Sequence, residues 1–330
     1  VAKVGFLSKI NVNCFFAEMK ETKVKNGRQE AKHYIQQKHC AKIVWKNVFL
    51  FAILHTSLIY GLFALIFIKP WKTILFAFVY GVFGGLGVTA GAHRLWSHRA
   101  YKAKLPLRIF LAIMQSVAGQ NHIYEWCRDH RVHHKFSETD ADPHNAKRGF
   151  FFSHMGWLCV RKHPDVIEKG KNVAVDDLLK DPVVVFQKRY FYPMSFLFCF
   201  LIPTVIPVVI WRETFITSFM IAFMARYCLA LHMTWLVNSA AHMWGYRPYD
   251  RKIGARENIF VAIGAMGEGF HNYHHKFPFD YSTSELGLKF NFTTFFINLM
   301  AFLGQAYDLK RATRQSIENC KQKVLADETK

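Results

Sequence analysis

Two stretches of the chain repeat one histidine pattern, H-x-x-H-H. His130, His133 and His134 form the first box, and His271, His274 and His275 form the second. On a helix, offsets of three and four residues return to one face, so each box aims three imidazoles at a common point. A third group, His93 and His98, stands five residues apart. That spacing is poor for one regular helical face, so the helix should bend or end between the two. His242, four residues after Asn238, is a weaker member of the set. Eight or nine imidazoles exceed the four ligands that close a zinc site. Shared between two metals, they leave four or five nitrogens each and positions open for another ligand. An imidazole-rich set without Cys suits iron better than a thiolate-preferring metal, which points to a dinuclear iron centre.

The elements that must carry these histidines can be read from where charge is missing. Residues 48–68, 74–92, 190–211 and 214–237 are apolar runs near the ~20 residues that a bilayer-crossing helix needs. The first three contain no Lys, Arg, Asp or Glu, and the fourth contains only Arg226, which should face other helices rather than lipid. Links as short as 69–73 and 212–213 make two hairpins, with both termini on one side. Of the 43 Lys and Arg, ten precede the first run, 17 lie in 93–189 and 12 follow the fourth run. The positive-inside rule therefore places the large segments and both termini in the cytosol.

This layout reconciles an apolar content of 52% with a formal charge of +20. Such apolarity excludes a disordered chain, and seven Cys with no CxxC pair argue against a disulfide framework. A nucleic-acid binder would explain the charge but not the four runs. The basic surplus serves topology and anionic lipid, or it recruits an anionic substrate or partner. The expected fold is an all-α integral membrane protein: four transmembrane helices in two hairpins under a cytosolic helical cap. Its parts are a polar segment 1–47, a hairpin 48–92, a cytosolic segment 93–189 with two histidine groups, a hairpin 190–237, a cytosolic segment 238–308 with Asn238, His242 and the last box, and a polar tail 309–330. The apolar stretches 105–118 and 292–303 are short for crossing and are expected as interfacial or core helices.

From about Trp45 to Asp308 the sequence resembles the membrane acyl-CoA desaturases of the stearoyl-CoA (Δ9) type. The stretches GVTAGAHRLWSH, DHRVHHKFSETDADPHN, RGFFFSHMGW, TWLVNSAAHMWGYRPYD and GEGFHNYHHKFPFDY carry the resemblance. It implies four spans in the endoplasmic reticulum membrane and a two-iron (Fe2+) site that uses O2 and two electrons from cytochrome b5. NADH-cytochrome b5 reductase would stand upstream. The product would be a cis double bond in a saturated long-chain acyl-CoA. Implied ligands are His93, His98, His130, His133, His134, His242, His271, His274 and His275, with Asn238 acting through water. Asn47, Asn121, Arg128, Asp129, Arg161 and Lys162 would contact the CoA, whose phosphates suit Arg and Lys. Trp126 and Thr234 would shape a kink in the acyl tunnel. Gly81 and Gly85 match its closed end, although four-residue spacing of glycines equally suits close helix packing. His122 stands where the family usually has an acidic residue, and His232 where an Asn is common. The eight remaining histidines, at 33, 39, 55, 122, 144, 154, 163 and 232, match no ligand position.

Overall fold

A computed structural model describes residues 41–328; segment 1–40, with His33 and His39, lies outside the described residues. Four helices are long and apolar enough to cross a membrane: Trp45–Ile68, Trp71–Ser97, Phe191–Trp211 and Phe215–Met243, here spans one to four. Spans two and four run past the expected edges at 92 and 237, to Ser97 and Met243. The apolar run ends where lipid would end, but each helix continues because protein covers it beyond that point.

Both hairpin links turn through a left-handed residue, Lys69 (φ 55°) and Arg212 (φ 60°). Thr73 Oγ1 donates to Glu213 Oε2 at 2.7 Å, and Trp211 Nε1 donates to Thr73 Oγ1 at 3.0 Å, so the two links are tied together. Spans two and four are 44% and 50% buried, against 17% and 22% for spans one and three. The former are therefore the inner pair. The outer pair turns Phe49, Ile53, Ile59, Val209 and Ile210 outward, as a lipid-facing surface requires. Arg226 faces inward as expected: its guanidinium donates to the backbone oxygens of Ala222 and Cys199, each at 2.9 Å.

The glycines of span two divide by face. A Cβ on Gly87 would lie 2.2 Å from the backbone of Met114 and Gln115, and one on Gly84 would lie 3.2 Å from Val117. These two let the helix Leu105–Ala118 press against the span. That helix is buried along Leu107 and Leu111, whereas Phe292–Phe302 buries Phe296 and Ile297 and exposes Phe292, Phe295 and Phe302.

The last turns of span two, Gly87–Ser97, are wound as a wide π-helix. The His98 N–H donates to the His93 carbonyl at 3.1 Å, an i→i+5 bond. The helix does stop between the two histidines, at Ser97. What brings them toward one face, however, is the wider winding, in which a spacing of five comes closer to a whole turn than in an α-helix.

Candidate metal centre

The first box rides on the helix Ile123–Phe136. His122 caps its start, its Nδ1 accepting from the Glu125 N–H at 3.1 Å, which gives a local role to the residue that departs from the family pattern. The second box is a short helix, His271–Lys276. His93 and His98 come from the wide end of span two, and His242 from the extended end of span four.

These elements bring the nine histidines together as two clusters. His93, His98, His130, His134 and His274 form one; His133, His242, His271 and His275 form the other. Within each cluster one ligand atom per residue lies within 4.8 Å of all the others. The Nε2 atoms face one another: His98–His130 at 2.8 Å, His134–His274 at 2.9 Å, His93–His274 and His242–His271 at 3.0 Å, and His271–His275 at 3.1 Å. His133 and His275, within the four-histidine cluster, approach at 3.3 Å. Ring nitrogens that converge in groups of four and five cannot all be satisfied by one N–H each. A cation at the centre of each group satisfies them, so the residues present fit two metals. The donor set is nitrogen only, which agrees with iron.

Burial, reinforced by neighbouring imidazoles, holds His130, His134, His271, His274 and His275 well below the usual imidazole pKa. His98 is lowered in the same way, with Arg131 adding to the effect. A neutral imidazole is the form that binds metal.

Three carboxylates sit behind the rings. Asp142 Oδ1 lies 2.9 Å from His133 Nδ1, Glu268 Oε2 lies 2.9 Å from His93 Nδ1, and Glu138 Oε1 lies 3.6 Å from His242 Nδ1. Burial alone would raise the Asp142 and Glu268 carboxyls. His133 outweighs burial at Asp142, and Arg94 with His93 outweighs it at Glu268, so both are lowered and remain charged. Arg94, fully buried, donates to Glu268 Oε1 at 2.9 and 3.0 Å and also reaches the Tyr281 carbonyl, Thr294 and Asn291. Carboxylates in this position fix the orientation and basicity of ligating imidazoles. None of the four was singled out in the sequence, although all lie within or beside the histidine stretches.

A cavity of about 1380 Å³ leads away from the histidines. His93, His130, His133, His271 and Asn238 stand at one end of its lining; Ile74, Ala77 and Phe78 of span two stand toward the other. Trp126 lines it near the histidine clusters, stacked on His130 with centroids 5.0 Å apart. Thr234 lines it too, bonded to Gln120, whose Nε2 donates to the Thr234 hydroxyl at 2.9 Å. Gln120 was missed in the sequence because a lone Gln carries no signal. Gly81 and Gly85 border the cavity. A Cβ on Gly85 would meet only the flexible end of Met266, and one on Gly81 the Arg226 side chain at 3.5 Å. Gly84 and Gly87 thus pack helices, while Gly81 and Gly85 border the cavity beside the Arg226 and Met266 side chains.

The residues expected at the headgroup are grouped only in part. Lys162 Nζ lies 2.5 Å from Asp129 Oδ2, and Arg128 donates to Asp129 Oδ1 at 2.8 and 3.0 Å. Glu125 lies 3.4 Å from Arg128 and 3.7 Å from Lys162. Two cations and two carboxylates thus form one balanced patch. Asn47 donates to the Leu158 carbonyl at 2.7 Å, and the Arg161 N–H to the Lys42 carbonyl at 2.8 Å, where the chain entering span one pairs with segment 158–161. Asn121 sits apart, in a left-handed turn (φ 65°) just before the Ile123–Phe136 helix.

Four apolar helices over a two-cluster histidine centre describe a class of multi-pass membrane oxidoreductase, and the comparisons specify which one. Residues 69–291 match the fatty acid desaturase family. The chain is 60% identical over 280 residues to stearoyl-CoA desaturase 5 of Bos taurus, covering 85% of this chain and 83% of that protein. It is 60% identical over 276 residues to the human protein of the same name, covering 84% and 83%, and 58% identical over 274 residues to stearoyl-CoA desaturase 2 of Mus musculus, covering 83% and 76%. The chain belongs to the fatty acid desaturase family, in its stearoyl-CoA desaturase branch. Its activity is that of an acyl-CoA desaturase.

Proposed function

We propose that this desaturase inserts a cis double bond at Δ9 of a saturated long-chain acyl-CoA, at two irons held by the nine histidines, with Asn238 completing the four-histidine site through water. The observation that carries this reading is the continuity of one long apolar cavity with both histidine clusters. A methylene C–H is too weak an acid for any side-chain base, so the bound irons would supply O2-dependent oxidising power. The balance is complete when two hydrogens leave the chain and O2 takes four electrons and four protons. Two electrons and two protons come from the acyl chain, two electrons from an external donor and two protons from solvent, and the oxygen ends as two waters.

The protein's own residues supply position. Each buried CH2 contributes roughly 0.8 kcal/mol but barely discriminates one carbon from the next. Register must come from a fixed headgroup and a shaped tunnel. Arg128, Lys162 and Arg161 would hold the CoA phosphates, with Asp129, Asn47 and Asn121 in polar contact with the rest of the headgroup. Trp126 and the Thr234–Gln120 pair would set the bend beside the metals. Cytochrome b5, an acidic protein, would dock on the basic cytosolic face and deliver the electrons from its NADH-dependent reductase. The enzyme would sit in the endoplasmic reticulum membrane with both termini cytosolic.

Expression in a desaturase-deficient yeast, with double bonds located by mass spectrometry, tests this. A Δ9 cis-alkene in long saturated chains is expected. A hydroxylated chain, or no unsaturated product with metal and donor present, would overturn it.

A further inference from the structure

Behind the acyl cavity, on the other face of span four, three histidines form a separate stack. His55 of span one, His232 of span four and His154 of the helix Phe150–His154 lie ring to ring, with centroids 5.0 Å apart for the first pair and 5.2 Å for the second. Cys228, one turn before His232, is a buried free thiol. One ligand atom from each of His55, Cys228 and His232 lies within 4.8 Å of the other two. None of these residues belongs to the nine-histidine centre.

The hydrogen-bond count shows that something is needed here. His55 Nδ1 lies 2.6 Å from the Phe51 carbonyl, and His55 Nε2 lies 3.1 Å from His232 Nε2. His232 Nδ1 lies 2.9 Å from His154 Nε2, His154 Nδ1 lies 3.0 Å from Ser239 Oγ, and Ser239 Oγ lies 2.8 Å from the Trp235 carbonyl. That makes five contacts in a row, ending at both sides on carbonyls, which only accept. Three neutral imidazoles and one hydroxyl carry four protons. One contact is therefore left without a proton, and an additional cation, a proton or a metal ion, would satisfy it.

The position of the shortfall follows from the partners. If the cation sits between the two Nε2 atoms, all four protons point away from it and are used. His55 Nδ1–H then donates to Phe51, His232 Nδ1–H to His154, His154 Nδ1–H to Ser239, and the Ser239 hydroxyl to Trp235. This is the arrangement expected behind metal-bound imidazoles, whose second nitrogen donates to an outer partner. The same face-to-face approach of Nε2 atoms marks the nine-histidine clusters. Here, in addition, a thiol converges on the same point.

We propose that His55, Cys228 and His232 form a further metal site, of the zinc class, that pins span one to the rear face of span four. Two imidazoles and a thiolate are a donor set that Zn2+ takes readily, with a fourth position left for water, and the sulfur distinguishes the site from the nitrogen-only iron centre. His154 and Ser239 would orient His232 from behind. Cys228, His232 and Trp235 face span one, while Leu229, Ala230, Met233 and Thr234 face the cavity. Metal binding would thus fix the helix whose other side holds the acyl chain.

The test uses full-length protein in detergent whose iron centre is already loaded. Zn2+ is titrated in and metals are counted, and Co2+ is used separately to report a thiolate–cobalt charge-transfer band. The expected result is one additional Zn2+ per chain and a cobalt–thiolate band. Cys228→Ser should abolish the band and His232→Asn the tight Zn2+ site, with iron remaining at two per chain in both variants as the check on folding. Binding of no additional Zn2+ by the parent protein would overturn the proposal in favour of a proton at the fifth contact. So would Zn2+ retained undiminished in both variants.

Discussion

Replacing Glu268 by Gln should weaken one metal cluster and leave the other nearly untouched. The carboxylate touches His93, a member of the five-histidine group, and neutralises Arg94, whose side chain is fully buried. Gln preserves the shape but removes the charge. His93 then loses a charged partner at 2.9 Å, a kind of change that typically costs 10–100-fold in metal affinity. Arg94 keeps its neutral acceptors but is left as a buried cation without a counter-ion, and breaking such a pair costs about 3–5 kcal/mol of stability. The assay is iron titration of metal-stripped full-length protein against a competing chelator, alongside thermal unfolding. One of the two binding steps should weaken by 10–100-fold and the unfolding temperature should fall. Asp142→Asn should weaken the other step, because Asp142 stands behind His133 of the four-histidine group. If both variants weaken both steps equally, or Glu268→Gln binds iron as tightly as the parent, the reasoning from these carboxylates is wrong.

Other consequences can be checked in parallel. Gly81→Phe should shorten the usable cavity and shift the products toward shorter chains. Each excluded methylene is worth ~0.8 kcal/mol, or about fourfold in relative kcat/KM; an unchanged chain-length preference in competition assays would show that Gly81 is not at the tunnel's end. Arg128→Ala and Lys162→Ala should raise KM for an acyl-CoA several-fold and leave KM for a truncated acyl thioester without the phosphates nearly unchanged; equal effects on both would remove these residues from the headgroup site. Glu257, whose carboxyl burial pushes up to about 8, holds its proton in the folded protein through a range where the unfolded chain has released it. That stability contribution is present below about pH 4.5 and is lost as pH rises toward 8, at up to ~1.4 kcal/mol per pH unit. Thermal melts should therefore show Glu257→Gln gaining on the parent as pH rises from 5 to 8, and parallel pH profiles would contradict the shift.

The spans were legible because lipid forces long uncharged runs, and the histidine boxes because offsets of three and four return to one helical face. What the one-dimensional pattern could not carry is instructive. The pairing of His93 with His98 depends on π-helical winding, which no residue spacing announces in advance. The helix ends at Ser97 and Met243 outrun their apolar segments because tertiary cover replaces lipid there. Glu268 reaches Arg94 across 174 positions, and acidic residues are too common for such a partner to stand out. The balanced charge of the Arg128–Asp129–Lys162–Glu125 patch is likewise visible only once Lys162 is brought beside the first box. The stack of His55, His154 and His232 is not visible in the sequence, since each lies on a different element and none matches a ligand position.

The most direct test of the central claim is metal analysis and X-ray absorption on active protein, joined to product analysis of the same preparation. The account predicts two irons per chain in a shell of imidazole nitrogens without sulfur, and acyl-CoA converted to an alkene. It also predicts that His133→Ala and His274→Ala each abolish the product. Full desaturation with fewer than two irons, with sulfur bound to the iron, or with either histidine removed would contradict it.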